Sequence, residues 1–270
     1  MTHFRFAAVG DNCIDRFRPP VGQSLVGGNA VNVAVQLARL GHRSYYFGAV
    51  GRDADGARTR LLLEENGVRT EHLQVCPGVT AHTDIDVLAS GDRVFVFEDF
   101  GVCAGYQPSE GEIAILTTMD HVHIGWMDDG GALRRTLAAA DVSVSQDISV
   151  NADPANLGVE GLGIAFGSAG DDEAAAHRLA EDLLGRGARL AVVTRGARGS
   201  FASNGKITAS KGIRSVEVVD TTGAGDSFIA GFLAAHLQGL PLADCLAAGR
   251  DLAAFTCGHV GGFPQQPQPL

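Results

Sequence analysis

No Gly-x-x-x-x-Gly-Lys-Ser/Thr string occurs in this sequence, which excludes a Walker-type phosphate loop. Its most glycine-rich turn is not Gly-x-Gly-x-x-Gly either. In Gly223-Ala224-Gly225-Asp226-Ser227-Phe228 the place of a third glycine is taken by Phe228, and the turn lies far from a first strand. The five cysteines, Cys13, Cys76, Cys103, Cys245 and Cys257, are scattered and odd in number, with no Cys-x-x-Cys pair. That argues against both a disulfide framework and a zinc site. Positive charge is scarce, with 21 Lys and Arg against 31 Asp and Glu and a net charge of −10. A nucleic-acid or anionic-membrane partner would demand the reverse balance. No apolar run reaches membrane-span length, and Met1-Thr2-His3-Phe4-Arg5-Phe6 lacks a signal-peptide core, so a soluble cytoplasmic protein is expected.

What is present is ordinary globular material, 45% apolar and 19% charged over 270 residues, enough for one large α/β domain or two small ones. The most informative stretch is near the end. Val216-Glu217-Val218-Val219 reads as a short β-branched strand, followed by the turn Asp220-Thr221-Thr222-Gly223-Ala224-Gly225-Asp226. A buried helix then follows, with Ile229, Phe232, Leu233, Leu237 and Leu240 at three- and four-residue spacing. Helix-start amides lack internal partners and sit at the positive end of the macrodipole, so a glycine-lined start suits an anion such as phosphate. Asp226 is either a plain helix cap or a base placed beside that phosphate.

Upstream, residues 4–9 read as a first buried strand running into Gly10-Asp11-Asn12-Cys13-Ile14-Asp15. Carboxylates after a strand's C-terminal end sit where open α/β sheets bind ligands. Asp11 and Asp15 therefore suit sugar hydroxyls, with an Asx-turn at Asp11-Asn12 as the alternative. Residues 16–24 read as an irregular excursion. Gly27-Gly28-Asn29-Ala30-Val31-Asn32 opens a helix that ends at Gly41, and Asn29 and Asn32, one turn apart, either face one polyhydroxy ligand or cap the helix. Asp53 is read as a helix cap. Between residues 79 and 99 the periodicity becomes two, with Ser90-Gly91-Asp92 as a hairpin turn. His121-Val122-His123 is read as a strand whose two imidazoles lie on opposite faces, too far apart to chelate. Further βα alternation predicts a largely parallel sheet with helices on both faces. Thr194-Arg195-Gly196-Ala197-Arg198-Gly199 closes a strand in a glycine-punctuated loop, where Arg195 meets phosphates or faces solvent. The tail, Pro264-Gln265-Gln266-Pro267-Gln268-Pro269, is expected to fray.

Asp220-Thr221-Thr222-Gly223-Ala224-Gly225-Asp226-Ser227-Phe228 resembles the C-terminal signature of the ribokinase/PfkB carbohydrate kinase family, and Gly27-Gly28-Asn29-Ala30-Val31-Asn32 resembles its N-terminal signature. The resemblance implies one ribokinase-like domain over residues 1–270, a three-layer α/β/α sandwich with a small β lid from about residues 12–26 and 79–100. The hairpin at 79–99 would otherwise be an edge of the main sheet. It implies ATP and magnesium, with Asp226 as base and Gly223, Ala224 and Gly225 as anion cradle. Asp11, Asp15, Gly27, Gly28, Asn29 and Asn32 would hold the sugar. Thr194, Arg195, Gly196 and Gly199, with Thr222, Gly223 and Gly225, would hold the nucleotide, and the loop after the last helix, residues 257–263, would border the adenine. Two further implications are a monovalent cation near Asp220 and Thr222 and a homodimer through the lid.

One departure stands out. The family's Asn-x-x-Glu segment is replaced by Ser168-Ala169-Gly170-Asp171-Asp172-Glu173, leaving Asp171 and Glu173 as water-mediated candidates for placing magnesium. Within the family the likeness is greatest to the kinases of fructosamines. It runs through Gly10-Asp11-Asn12-Cys13, Val79-Thr80-Ala81, Asp92-Arg93-Val94-Phe95 and His121-Val122-His123. It implies transfer to the 6-hydroxyl of an amino-linked fructose such as fructoselysine. A kinase for ribose, fructose or an adenosine-like nucleoside is the alternative, and a catalytically silent sugar sensor the non-enzymatic one. A base with an ordinary carboxylate pKa near ~4 would act late in the transfer.

Overall fold

Alternation in the first strand already divides the molecule into layers. Phe6 and Ala8 join one buried cluster while Ala7 and Val9 join another, as successive residues of a strand fully covered on both faces must. The computed structural model describes residues 3–88 and 93–270. In chain order the strands are β1 (Arg5–Val9), β2 (Cys13–Phe17), β3 (Gln23–Gly27), β4 (Arg43–Gly51), β5 (Leu73–Cys76), β6 (His82–Val87) and β7 (Arg93–Asp99). There follow β8 (His121–Ile124), β9 (Val144–Asp147), β10 (Ile164–Ser168), β11 (Ala191–Thr194), β12 (Ser200–Ser203), β13 (Thr208–Lys211) and β14 (Gln268–Pro269). The helices are α1 (Asn29–Arg39), α2 (Ala54–Glu65), α3 (Glu110–Leu116), α4 (Ala132–Ala139), α5 (Glu173–Gly185), α6 (Ala224–Leu237) and α7 (Leu242–Thr256).

The main sheet has nine strands in the order β13-β12-β11-β10-β9-β8-β1-β4-β5. It is parallel from β11 to β5, with β12 and β13 as an antiparallel hairpin on one edge. Residues of α1, α2, α6 and α7 pack with one face and residues of α3, α4 and α5 with the other, which gives the three layers. The chain runs from β1 outward through β4 and β5, then returns to β8 on the opposite side of β1. Strand order therefore reverses at β1, and the crevice at its carboxyl end is where such sheets bind ligands.

A second, five-stranded sheet has the order β14-β3-β2-β6-β7 around the small cluster Phe17, Leu25 and Ile85. It departs from the sequence reading in two places. Residues 16–24 are not irregular, since β2 and β3 pair antiparallel across them. The tail does not fray. Gln268 pairs with Ser24, and the Gln265 amide both accepts from the Val26 N–H and donates to its carbonyl, each at 2.8 Å. Proline and glutamine bring too little apolar surface to pack a core, but a sheet edge needs only backbone partners, and these supply them. The strands flanking the expected hairpin, β6 and β7, are antiparallel; the turn Ser90-Gly91-Asp92 lies outside the described residues.

Two other expectations are overturned. Residues 216–219 form no strand, because no neighbouring strand pairs with them, and Val218 and Val219 are 60% and 58% exposed. Their β-branched run lines a cleft instead. His121 and His123 share a face, since residues two apart in a strand always do, and both imidazoles touch the Ser145 hydroxyl. Asp53 does cap its helix, accepting from the Gly56 N–H at 2.8 Å and also holding the Thr80 N–H at 2.8 Å. Among the described residues, no helix is long and apolar enough to cross a membrane.

Candidate active site

Three segments converge at the carboxyl end of β1. The loop after β1 supplies Asp11, the start of α1 supplies Asn29 and Asn32, and the start of α6 supplies Asp226. Gly28 makes the entry to α1 possible. Its φ is +105°, and a Cβ there would come within 2.6 Å of the Asn12 Cα. Gly223 does the same for α6, with φ +71° and a would-be Cβ overlapping the Cα of Gly262. The loop after α7 is thus pressed against the turn. Gly261 donates its N–H to Asp220 at 2.8 Å, and the Gln36 amide holds the Gly262 carbonyl at 2.7 Å.

Asp226 is gripped from both sides. Asn29 Nδ2 donates to its Oδ1 and Asn32 Nδ2 to its Oδ2, each at 2.7 Å. Asn29 also donates to Asp147 at the end of β9, at 3.0 Å. Burial pushes Asp226 up to about 8, and the nearby Asp147 and Asp11 carboxylates add to the rise, against the lowering effect of the two amides. The expectation of an ordinary carboxylate is therefore corrected. A raised carboxylate pKa has a stability consequence. Between the unfolded value near ~4 and about 8 the native state holds a proton that the unfolded chain has released, so stability falls as pH rises through that window. The melting temperature is expected to decline between pH 5 and 8, and Asp226→Asn to flatten that decline; a calorimetric pH series checks both.

Asp11 is committed to backbone. Its carboxylate accepts from the N–H groups of Asn29 (2.7 Å), Ala30 (3.2 Å) and Trp126 (3.0 Å), tying the α1 start to the loop after β8. This is not the Asx-turn; the three bonds hold the start of α1 in place. Asp15, on β2, stands over Gly27, where a Cβ would meet its Oδ2 at 3.1 Å. Burial raises Asp15 to about 6, partly countered by Arg93.

Ala224 turns its N–H back to the Thr221 carbonyl (3.2 Å) and Ser227 bonds Gly223 (2.9 Å), while the first-turn amides of Gly225 and Asp226 have no helical carbonyl within reach. A Cβ at Gly225 would meet nothing within 4 Å, so this edge of the turn is open. It opens into a cleft of about 650 Å³ whose polar lining includes Ser168, Thr194, Gly196, Gly199 and Thr221. Its apolar wall is Ile213, Val216, Val218, Phe228, Ala253, Ala254 and Cys257, with Arg214 and Arg250 on the rim. A polar floor at a helix start and an apolar wall beyond it suit a nucleotide.

Arg195 has its side chain folded into the protein, with Nη2 donating to Ser210 at 3.2 Å and Nη1 3.5 Å from Glu173. Asp171 accepts the Ala197 N–H at 3.1 Å. Asp171 and Glu173 thus brace the 194–199 loop, and among the described residues no group of three His, Cys, Asp or Glu side chains is placed to hold a metal.

Sequence reasoning missed Arg93. From β7 it reaches the signature turn, pairing with Asp220 at 2.8 Å and donating to the Thr222 hydroxyl, with its guanidinium over the Phe17 ring at 5.0 Å. Burial raises Asp220, but hydrogen bonds from Gly261, Arg93 and Thr222 outweigh it and hold the carboxylate below its usual range. The only hint of Arg93 in the sequence is its place within Asp92-Arg93-Val94-Phe95.

Residues 18–125 and 142–269 match the family described as pfkB family carbohydrate kinase. The chain belongs to that family. This carbohydrate kinase is 36% identical over 259 residues to the fructoselysine 6-kinase of Shigella flexneri, covering 95% of this chain and 98% of the relative. It is 32% identical over 270 residues to a fructosamine kinase of Bacillus subtilis, covering 96% and 93%. Its fold matches that of an Arabidopsis thaliana ribokinase solved with ribose and ATP, at a TM-score of 0.85 and 22% identity over 97% of this chain and 96% of that one. The three-layer architecture is thus ribokinase-like.

Proposed function

We propose that this kinase transfers the γ-phosphoryl of ATP to the 6-hydroxyl of a fructosamine, with fructoselysine as the type substrate. The observation that carries the chemistry is the single turn joining an open helix start to Asp226, a carboxylate held by two amides. The substrate class rests on the likeness to the fructosamine kinases. Asp226 accepts the hydroxyl proton, and a pKa near the working pH makes it a better base than an ordinary carboxylate. The amides of Gly225 and Asp226, and the dipole of α6, stabilise charge on the transferred group. Magnesium would enter with the nucleotide as part of the ATP substrate and offset the charge on its phosphates. Thr194, Gly196 and Gly199 line the nucleotide cleft, while Asn32, Asp15 and Gly27 face the sugar and Asn29 holds the base beside it.

The five-stranded sheet is read as the lid, built from the 12–26 and 79–100 segments with the tail added. Arg93 latches it onto Asp220 and Thr222, so closing the lid over the sugar and setting the anion turn become one event. A direct salt bridge to Asp220 also supplies the cation that a monovalent ion would otherwise provide there. The test is ADP release from ATP with fructoselysine, fructose, ribose and adenosine in turn. Turnover is expected with fructoselysine at a kcat/KM at least about tenfold above the others, and Arg93→Ala is expected to raise ADP release without sugar. Equal turnover on ribose or adenosine would reject the substrate.

The outer lid strand β7 leaves Val94, Phe95, Val96 and Phe97 exposed, Phe95 by 74%, on an edge that no strand pairs among the described residues. A second copy of the chain covers it by edge pairing. Sedimentation is expected to give a two-chain particle, and Phe95→Asp a monomer.

A further inference from the structure

Buried strands of a parallel sheet are expected to be apolar throughout. Two strands of the main sheet break that rule on one face. β8 places His121 and His123 there, and Ser143, just before β9, with Ser145 and Asp147 on it, lies beside them, with His123 opposite Ser145 in register. Both histidines and Ser145 are fully buried. The polar atoms are not isolated, because each reaches the next. Ser143 Oγ lies 2.9 Å from His121 Nδ1, and His121 Nε2 lies 2.8 Å from Ser145 Oγ. Ser145 Oγ is 2.9 Å from His123 Nδ1, and His123 Nε2 is 3.3 Å from Asn29 Oδ1. Asn29 ends the row by donating to Asp226 and Asp147.

The direction of every bond follows from that end. Asn29 spends its amide hydrogens on the two carboxylates, so its Oδ1 accepts and His123 Nε2 carries a hydrogen. A neutral His123 then accepts at Nδ1 from the Ser145 hydroxyl. Ser145 in turn accepts from His121 Nε2–H, and His121 accepts from the Ser143 hydroxyl. Burial lowers both imidazoles to about 3, with His123 adding to the drop at His121, so both are neutral at working pH. All five donors point toward Asp226, and aligned bonds strengthen one another in a dry interior.

We infer that His123, backed by Ser145 and His121, is a positioning residue that fixes the Asn29 amide so that its hydrogens face Asp226. The row acts through Asn29 and touches neither sugar nor nucleotide. The inference rests on Asp226 being the catalytic base. Without the imidazole donor, Asn29 can rotate its carbonyl oxygen toward the carboxylates, which removes a donor from Asp226. The groups facing Asp226 are Asn29, Asn32, Asp147 and Asp11, and losing one amide among these carboxylates moves the Asp226 pKa upward.

The test compares His123→Leu with His123→Gln, whose amide N–H replaces the ring donor. His123→Leu is expected to lower kcat by about 10- to 100-fold with KM for both substrates little changed, the loss typical of a misplaced reacting group. The acid limb of its kcat/KM profile should move to higher pH, and His123→Gln should restore both. A folded His123→Leu protein with unchanged kcat and pH profile, or His123→Gln no better than His123→Leu, overturns the inference. Ring-nitrogen NMR of the wild-type protein needs neither turnover nor a variant. Nε2–H tautomers at His121 and His123 between pH 6 and 9 support the row, and an Nδ1–H tautomer at His123 rejects it. Failure of the Asp226 base assignment would appear separately, as full turnover in Asp226→Asn.

Discussion

Replacing Asp226 by Asn is expected to lower kcat by about 10²- to 10⁴-fold, the range that a positioned base contributes, while ATP binding stays near normal. The substitution keeps the size and planarity of the side chain and leaves the Gly223–Gly225 turn untouched. What it removes is the acceptor for the sugar hydroxyl proton. It also removes a carboxylate that burial holds near pH 8 beside Asp147 and Asp11, so the variant should be more stable than the parent at alkaline pH. Lower activity with higher stability is the signature of a strained functional group. A carboxylate with a purely structural role would give the reverse, near-normal turnover with lower stability. Steady-state kinetics, nucleotide titration and melting curves at pH 9 separate the two outcomes. Near-normal turnover would remove Asp226 from the chemistry.

Gly223→Val is expected to abolish activity by a different route. Gly223 sits at φ +71°, where a β-branched residue is strained, and any Cβ there would collide with the Gly262 backbone. Relief requires the 257–263 loop to move away. That breaks the Gly261 bond to Asp220 and loosens Asp220, the anchor of Arg93. The Gly223 turn, the 257–263 loop and the Arg93–Asp220 pair are therefore disturbed together. A loss of about 2–4 kcal/mol in stability is expected from backbone strain and overpacking, with ATP affinity falling at least as steeply as sugar affinity. Gly225→Ala is the control. Open space beyond Gly225 predicts a protein of normal stability that binds ATP less well.

The contrast between these glycines shows what a sequence displays and what it hides. The glycine turn before α6 was legible, because a left-handed residue and a helix start each demand particular side chains. The same holds for the entry to α1 and for the Asp53 cap. The layered parallel architecture was legible from periodicity. Pairings across the chain were not. Arg93 and Asp220 meet across 127 positions, and nothing local to either marks the other. Asp11 follows β1 and reads as a sugar ligand, while its bonds to the distant amides of Asn29, Ala30 and Trp126 carry no local signal. The valines at 216–219 showed strand propensity but had no neighbour to pair with, so tertiary context placed them on the cleft wall. The raised pKa of Asp226 comes first from burial and then from Asp147, which carries no motif. His121 and His123 were visible as a pair, but their shared face was misread, and with it the polar row beneath the base.

The account stands on one transfer, from ATP to the 6-hydroxyl of a fructosamine with Asp226 as base. The most direct measurement is phosphorus and carbon NMR of the product formed from ATP–magnesium and fructoselysine. One new phosphomonoester signal is expected, coupled to carbon 6 of the fructose unit, absent when Asp226→Asn replaces the parent. A phosphate on another carbon, or free phosphate without any sugar ester, would contradict it.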